Sequence, residues 1–207
     1  EDKELLGNPF AQFIKGTAEI RYNYALGHKQ YLVGRLMAGA IYSYGNARTS
    51  PYNEQFYIGG ANSIRAFTIR SIGPGRYYQN SDNNKYAYID RTGDLKFEAN
   101  LEYRFPILGD LHGATFLDSG NIWLIRNDPD RPGVAALTLG IIGLAGFLKD
   151  LALGTGFGLR YDLTFIVIRF DVGIGLHLPY DTGKKGYYNI PKFKDGMGYH
   201  FAIGYPF

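Results

Sequence analysis

The stretch DLKFEANLEYRF, residues 94–105, alternates without a fault. Asp94, Lys96, Glu98, Asn100, Glu102 and Arg104 are polar, while Leu95, Phe97, Ala99, Leu101, Tyr103 and Phe105 are apolar or aromatic. A β-strand separates such sets, because successive side chains point to opposite faces. The same period recurs in residues 14–24, 151–163, 166–178 and 199–207. Residues 30–44, with Arg35 as their sole charge, and 113–123, with Asp118, alternate less regularly. The pattern predicts seven strands and an all-β fold.

Two architectures put such faces to use. A soluble sandwich turns the apolar face inward, whereas a membrane barrel turns it to lipid and keeps the charges in the lumen. Length decides between them. The segments run about 9–15 residues, matching the 9–11 that cross a bilayer, whereas soluble strands are usually about 5–6. Tyr22, Tyr24, Tyr42, Tyr44, Tyr103, Phe105, Tyr161, Tyr205 and Phe207 gather toward segment ends, as interfacial girdles do. Connections alternate short and long, the long ones being residues 45–93, 124–150 and 179–197. Short periplasmic turns and long extracellular loops follow that rhythm. The apolar run 134–148, VAALTLGIIGLAGFL, is too short and glycine-rich for a spanning helix.

Composition removes other classes. The absence of cysteine rules out disulfide frameworks and thiolate metal sites. A net charge of +3 gives little basis for nucleic acid as a partner. No HExxH, Walker loop or GxSxG occurs, so no catalytic residue, metal or cofactor is expected and the chain does not read as an enzyme. Seven is an odd number, and an open sheet edge in lipid leaves backbone groups unsatisfied. Residues 1–207 therefore read as the C-terminal portion of one larger barrel domain, with the upstream strands absent. The opening EDKELLGNPF, which lacks an apolar core and so does not resemble a secretion signal, agrees.

FYIGGANSIRAF (56–67), LEYRFP (101–106), FLDSGNIW (116–123) and a terminal strand ending in Phe207 together resemble the BamA/TamA outer-membrane insertase family, also called the bacterial surface antigen family. QFYIGGANSIRAF with SIGPG is most similar to its TamL-like branch. The resemblance covers residues 13–207 and implies a sixteen-stranded antiparallel transmembrane β-barrel preceded by periplasmic transport-associated domains. The seven segments then become strands ten to sixteen, and residues 45–93 become the long loop that folds into the lumen. That loop carries the family's (V/I)RG(F/Y) motif, here Ile64, Arg65, Ala66 and Phe67. Ala66 stands where the family usually has glycine, a cost of about 1 kcal/mol if the backbone there needs φ > 0.

Strand parity puts Glu102 and Asp118 on the lumen face, and the resemblance makes these two carboxylates the partners of Arg65. A planar guanidinium suits them because it can bind a carboxylate through two parallel bonds. Gly59 and Gly60 are expected to form the turn that presents the motif. Gly154, Gly156 and Gly158 share one face of their strand and are read as making room for the loop, in preference to strand coiling. Arg160, Asp162, Arg169 and Asp171 read as a lumen charge ladder. For the apolar run 134–148 three placements stand open: on the lipid surface, capping the lumen, or against a partner.

The resemblance implies an integral protein of the outer membrane of a Gram-negative-type bacterium that folds and inserts β-barrel proteins. Its partners would be outer-membrane lipid, unfolded barrel substrates and accessory assembly subunits. The expected seam and C-terminal signal comprise Gly198, Tyr199, Phe201, Ile203, Gly204, Tyr205 and Phe207, with the strand edge templating a substrate strand. Parity places Tyr199, Phe201, Ile203, Tyr205 and Phe207 on one face. The alternatives are a passive channel or secretion-type pore, and a membrane anchor for an upstream enzymatic domain.

Overall fold

A computed structural model describes residues 4–5, 8–47, 49–78, 91–126, 128 and 143–207. Two short strands, β1 (Glu4–Leu5) and β2 (Asn8–Pro9), pair with each other. Seven more form a single antiparallel sheet: β3 (Gln12–Gly27), β4 (Gln30–Tyr44), β5 (Leu95–Leu108), β6 (Leu111–Trp123), β7 (Ala152–Asp162), β8 (Val167–His177) and β9 (Met197–Ile203). Their spatial order is their chain order, so every strand pairs with the next. One helix, α1 (Gly143–Asp150), precedes β7, and a short 3-10 turn, Phe193–Gly196, precedes β9. The seven strands fall on the seven alternating segments, except that β9 stops at Ile203.

The sheet is inside out by the standards of a soluble domain. On β5 the polar set is the buried one, with Glu102 at 0 % exposure, while Leu101 on the opposite face is 44 % exposed. Phe201 on β9 is 72 % exposed. Charged side chains are almost never fully buried unless paired, and here they occupy the inner face together with their partners. Exposed Ile20, Leu36, Leu117, Phe157 and Phe170 form the opposite surface. That distribution fits a wall with hydrocarbon outside and a polar interior, and it disposes of the sandwich.

Register sets what meets across the inner face. One row runs Arg35, Asn100, Asp118, Gly154. The next runs Val33, Glu102, Phe116, Gly156, Gly173, Gly198, and a third runs Arg104, Ala114, Gly158, Asp171, His200. Along the first two rows the side chains give way to glycine from β7 onward, whereas the third keeps Asp171 and His200. The long connection between β4 and β5 fills the hollow this leaves. Its Phe56, Ile58, Ile64, Ala66, Phe67 and Ile72 form the core with Ile41, Ile122, Ala152, Leu178 and Ile190.

The outer edges of β3 and β9 have no strand partner among the described residues. Of the apolar run 134–148, residues 134–142 lie outside the described residues, and 143–148 begin α1. Phe147 of α1 stacks on Trp123 at 5.9 Å and meets Phe97 edge-on at 5.5 Å. Both partners belong to the outward set of their strands. The described part of the run therefore packs on the outward set of these strands, which argues against capping the lumen and leaves lipid or a partner as what it meets. Among the loops at this end, Tyr78 stacks on Tyr180 at 4.3 Å, and burial pushes the Tyr180 phenol up to about 12.

Candidate functional site

The loop that enters the sheet is shaped by a paired stem and a glycine turn. Phe56 and Gly93 exchange backbone hydrogen bonds of 2.9 Å, closing the base. Above it Arg70 N–H donates to the Ile58 carbonyl at 2.9 Å and Gly60 N–H to the Phe67 carbonyl at 2.8 Å. Gly59 and Gly60 have φ of +97° and +92°, and a Cβ on Gly59 would strike the Thr68 carbonyl. Only glycine meets both demands cheaply. These bonds fold residues 58–70 back on themselves and put residues 61–66 at the tip.

Arg65 is fully buried there. Its Nε and Nη2 donate to the two oxygens of Asp118 at 2.8 and 2.9 Å, and its backbone N–H adds a third bond to Asp118 Oδ2 at 3.1 Å. Nη1 donates to Glu102 Oε2. The guanidinium lies over the Phe116 ring, 3.5 Å from its centroid, in cation–π contact. The carboxylates have further partners: Asn100 Nδ2 on Asp118 at 2.9 Å, Arg104 Nε on Glu102 at 2.7 Å and Arg160 Nη2 on Glu102 at 3.1 Å. Burial alone would lower the affinity of Arg65 for its proton. Asp118 and then Glu102 more than reverse this and hold it above the ordinary arginine value. Ions out of water need this density of bonds to offset desolvation.

A second grip on the loop escaped the sequence reading. Arg35 of β4 donates through Nη2 to the Asn62 carbonyl at 3.1 Å and to Glu98 at 2.7 Å, and through Nε to Asn100 at 3.0 Å. From the far side Arg169 of β8 donates to the Ala61 carbonyl at 2.9 Å and to Asn62 Oδ1 at 2.6 Å. Ser63 bonds Glu98, and its carbonyl accepts from Asn100 Nδ2 at 2.8 Å. The tip is therefore held from opposite walls. The available signals were an isolated arginine, Arg35, in an otherwise uncharged strand and the place of Arg169 in the charge ladder.

The glycines divide their roles. A Cβ on Gly154 would meet that of Ala66, so this position does make room for the loop. Gly156 instead clears the Phe116 ring, and Gly158 clears Asp171 and Arg160. Gly173 and Gly198, which face each other across β8 and β9, let the Arg65 carbonyl lie flat on the wall. Ala66 is not among the described non-glycine residues with positive φ, so its backbone carries no left-handed cost. Arg160 and Arg169 pair with Asp171 at 2.6 and 3.3 Å, forming the ladder without Asp162. No cluster of three or more His, Asp or Glu able to hold a metal occurs among the described residues.

Tyr199, Phe201 and Ile203 face outward, but the expectation for Tyr205 and Phe207 needs correction. Gly204, at φ +86°, bends the chain and ends the alternation. Tyr205 then lies under Arg104, 4.3 Å from its guanidinium carbon. The Phe207 ring comes 5.2 Å from that of Arg35 and 5.6 Å from that of Arg65. Arg104 Nη2 donates to the Phe207 carbonyl at 3.3 Å. Cation–π contacts with Arg104, Arg35 and Arg65 draw the terminal rings toward the inner face, against what parity directs.

Comparison with known proteins gives consistent relatives. The sequence model of the Omp85 superfamily domain matches residues 5–207. The outer membrane protein assembly factor BamA of Nitratidesulfovibrio vulgaris is 28 % identical over 205 residues, which are 96 % of this chain and 22 % of that protein. BamA of Neisseria meningitidis serogroup B is 29 % identical over 90 residues, 41 % of this chain and 11 % of that protein. This chain thus spans about a fifth or less of either relative. Among solved structures, BamA from Haemophilus ducreyi lacking POTRA domains 1–3 superposes with a TM-score of 0.60 at 17 % identity, over 97 % of this chain and 36 % of that one. CdiB from Acinetobacter baumannii does so with a TM-score of 0.51 at 18 % identity, over 93 % and 27 %.

Proposed function

This chain belongs to the Omp85 superfamily, as an outer-membrane β-barrel protein, and from that premise we propose that it is part of an assembly factor that folds and inserts other β-barrels. The curated relatives named as assembly factors support this reading. In this proposal β3 to β9 are the last seven strands of a closed sixteen-stranded barrel. The free edge of β3, along 16 residues, needs a strand beside it, because each unsatisfied backbone group in hydrocarbon costs several kcal/mol. Within the family, FYIGGANSIRAF and SIGPG favour the TamL-like branch.

The observation that carries the reading is the buried clamp of Glu102 and Asp118 on Arg65. Arg65 carries no substrate chemistry in this proposal. It fixes a loop inside the lumen, beside the inner face of β9, while the outer edge of β9 closes weakly on the first strand of the barrel and opens there to template a substrate strand. Outer-membrane lipid and unfolded barrels are the partners, with accessory assembly subunits beside them. The work done is non-covalent, so no cofactor enters.

Photo-crosslinking in cells tests it, with probes placed one at a time from residue 198 to residue 204. Crosslinks to a range of newly made outer-membrane barrels are expected. Crosslinks confined to the protein's own first strand would mean a closed seam, and would leave a pore or an enzyme anchor as the function.

A further inference from the structure

β9 is held weakly by the sheet alone. Among the described residues it pairs with β8, over residues 197–203. Its outward side chains Tyr199, Phe201 and Ile203 are exposed. Inward it presents Gly198, His200 and Ala202, so His200 is its one inner side chain able to hydrogen-bond. His200 Nε2 lies 2.8 Å from the Arg65 carbonyl and must be the donor, since a carbonyl oxygen only accepts. The same carbonyl rests on Gly198 and Gly173. Arg65 is in turn fastened through its side chain and its own N–H to β5 and β6.

We propose that His200 is the positioning residue that ties the terminal strand to the lumen loop, so that docking of Arg65 and closure of β9 against β8 are coupled. β9 gains an anchor beyond its pairing with β8 only while the Arg65 carbonyl is in place. Release of the clamp withdraws that acceptor and frees the strand. The bond runs between residues 135 positions apart, so it exists only in the docked fold. The functional consequence, a loop that governs the seam, rests on the proposed assembly role. The coupling itself does not.

Hydrogen exchange of the intact protein in lipid nanodiscs tests it. In His200→Ala, amides of Met197–Ile203 should exchange roughly five- to tenfold faster, as loss of one buried hydrogen bond would produce. His200→Gln, which can offer an amide N–H near the position of Nε2, should return the rate toward that of the parent. Arg65→Ala should accelerate the same amides, and adding His200→Ala to it should change them little further. Unchanged exchange in His200→Ala, additive effects in the double variant, or equal acceleration in β4 and β5 would overturn the proposal. Should His200→Ala not fold, Gly198→Ala reads the same contact by pressing a methyl onto the Arg65 carbonyl. A barrel-assembly assay run in parallel separates the two ideas. Coupled exchange with normal assembly keeps the tie and counts against the loop governing the seam; absence of assembly activity in the parent itself counts against the assembly role and leaves the tie standing.

Discussion

Asp118 binds Arg65 three times, twice through the guanidinium fork and once through the backbone N–H of the same residue. One carboxylate therefore sets both the charge partner of the loop and the path of its main chain. Glu102 takes a single bond from Arg65, through the guanidinium, and none from the main chain. The two carboxylates are consequently not equivalent, and the consequences of altering them differ.

Arg65→Ala leaves Asp118 and Glu102 buried without their main counter-charge, a loss of about 3–5 kcal/mol for a broken buried pair. The variant should lose its compact, heat-modifiable mobility at lower temperature and fail to support barrel assembly in cells. Arg65→Lys keeps the charge but not the planar fork, so it should fall between the two. Normal assembly by Arg65→Ala would refute the clamp.

Arg65→Glu should abolish function, and adding Asp118→Arg should restore only part of it. The exchanged pair recovers a guanidinium–carboxylate contact but leaves the residue-65 N–H without the acceptor that Asp118 supplied. Complementation by the double variant at the full level of the parent would show that the backbone bond is dispensable.

The contact between Gly154 and Ala66 predicts a compensating pair. Gly154→Ala should destabilise the loop by about 1–3 kcal/mol through overpacking, and Ala66→Gly in the same chain should remove most of that cost. Protease sensitivity of residues 58–70, compared in the single and double variants, measures it. Equal sensitivity in both would mean that the wall yields.

The orientation of Phe207 predicts a ring-specific effect. Phe207→Leu keeps an apolar terminus but loses the cation–π contacts with Arg35 and Arg65, at about 0.5–2 kcal/mol. Phe207→Tyr should be tolerated, and deletion of Phe207 should impair the protein's own assembly. Membrane levels of the three variants supply the comparison.

Leu117→Arg tests the direction of the wall. Leu117 is an exposed residue, so in water an arginine would be nearly neutral. Facing hydrocarbon, it should cost about 2–4 kcal/mol if it lies near the bilayer midplane. Folding titrations into lipid vesicles distinguish the two. A neutral result would place Leu117 outside the hydrocarbon layer.

Period-two alternation is a local property, which is why seven strands and their two faces could be read from residues 94–105 and their repeats. Strand length told which face meets lipid, since a bilayer imposes a dimension that a soluble core does not. The parity of Glu102 and Asp118 followed from the same local rule. Contacts that depend on register between distant strands were not legible. Neither Arg35 nor Arg169 announces that it will reach Asn62 from opposite walls, and nothing near His200 points to Arg65. The apolar run could not be assigned a side until Phe147 met Trp123. Phe207 was misread because one left-handed glycine, Gly204, cancels the parity of every residue after it. Alternation alone determines which side of the wall a side chain takes. Only the folded sheet decides which partner waits there, because each such pairing joins residues that the chain keeps far apart.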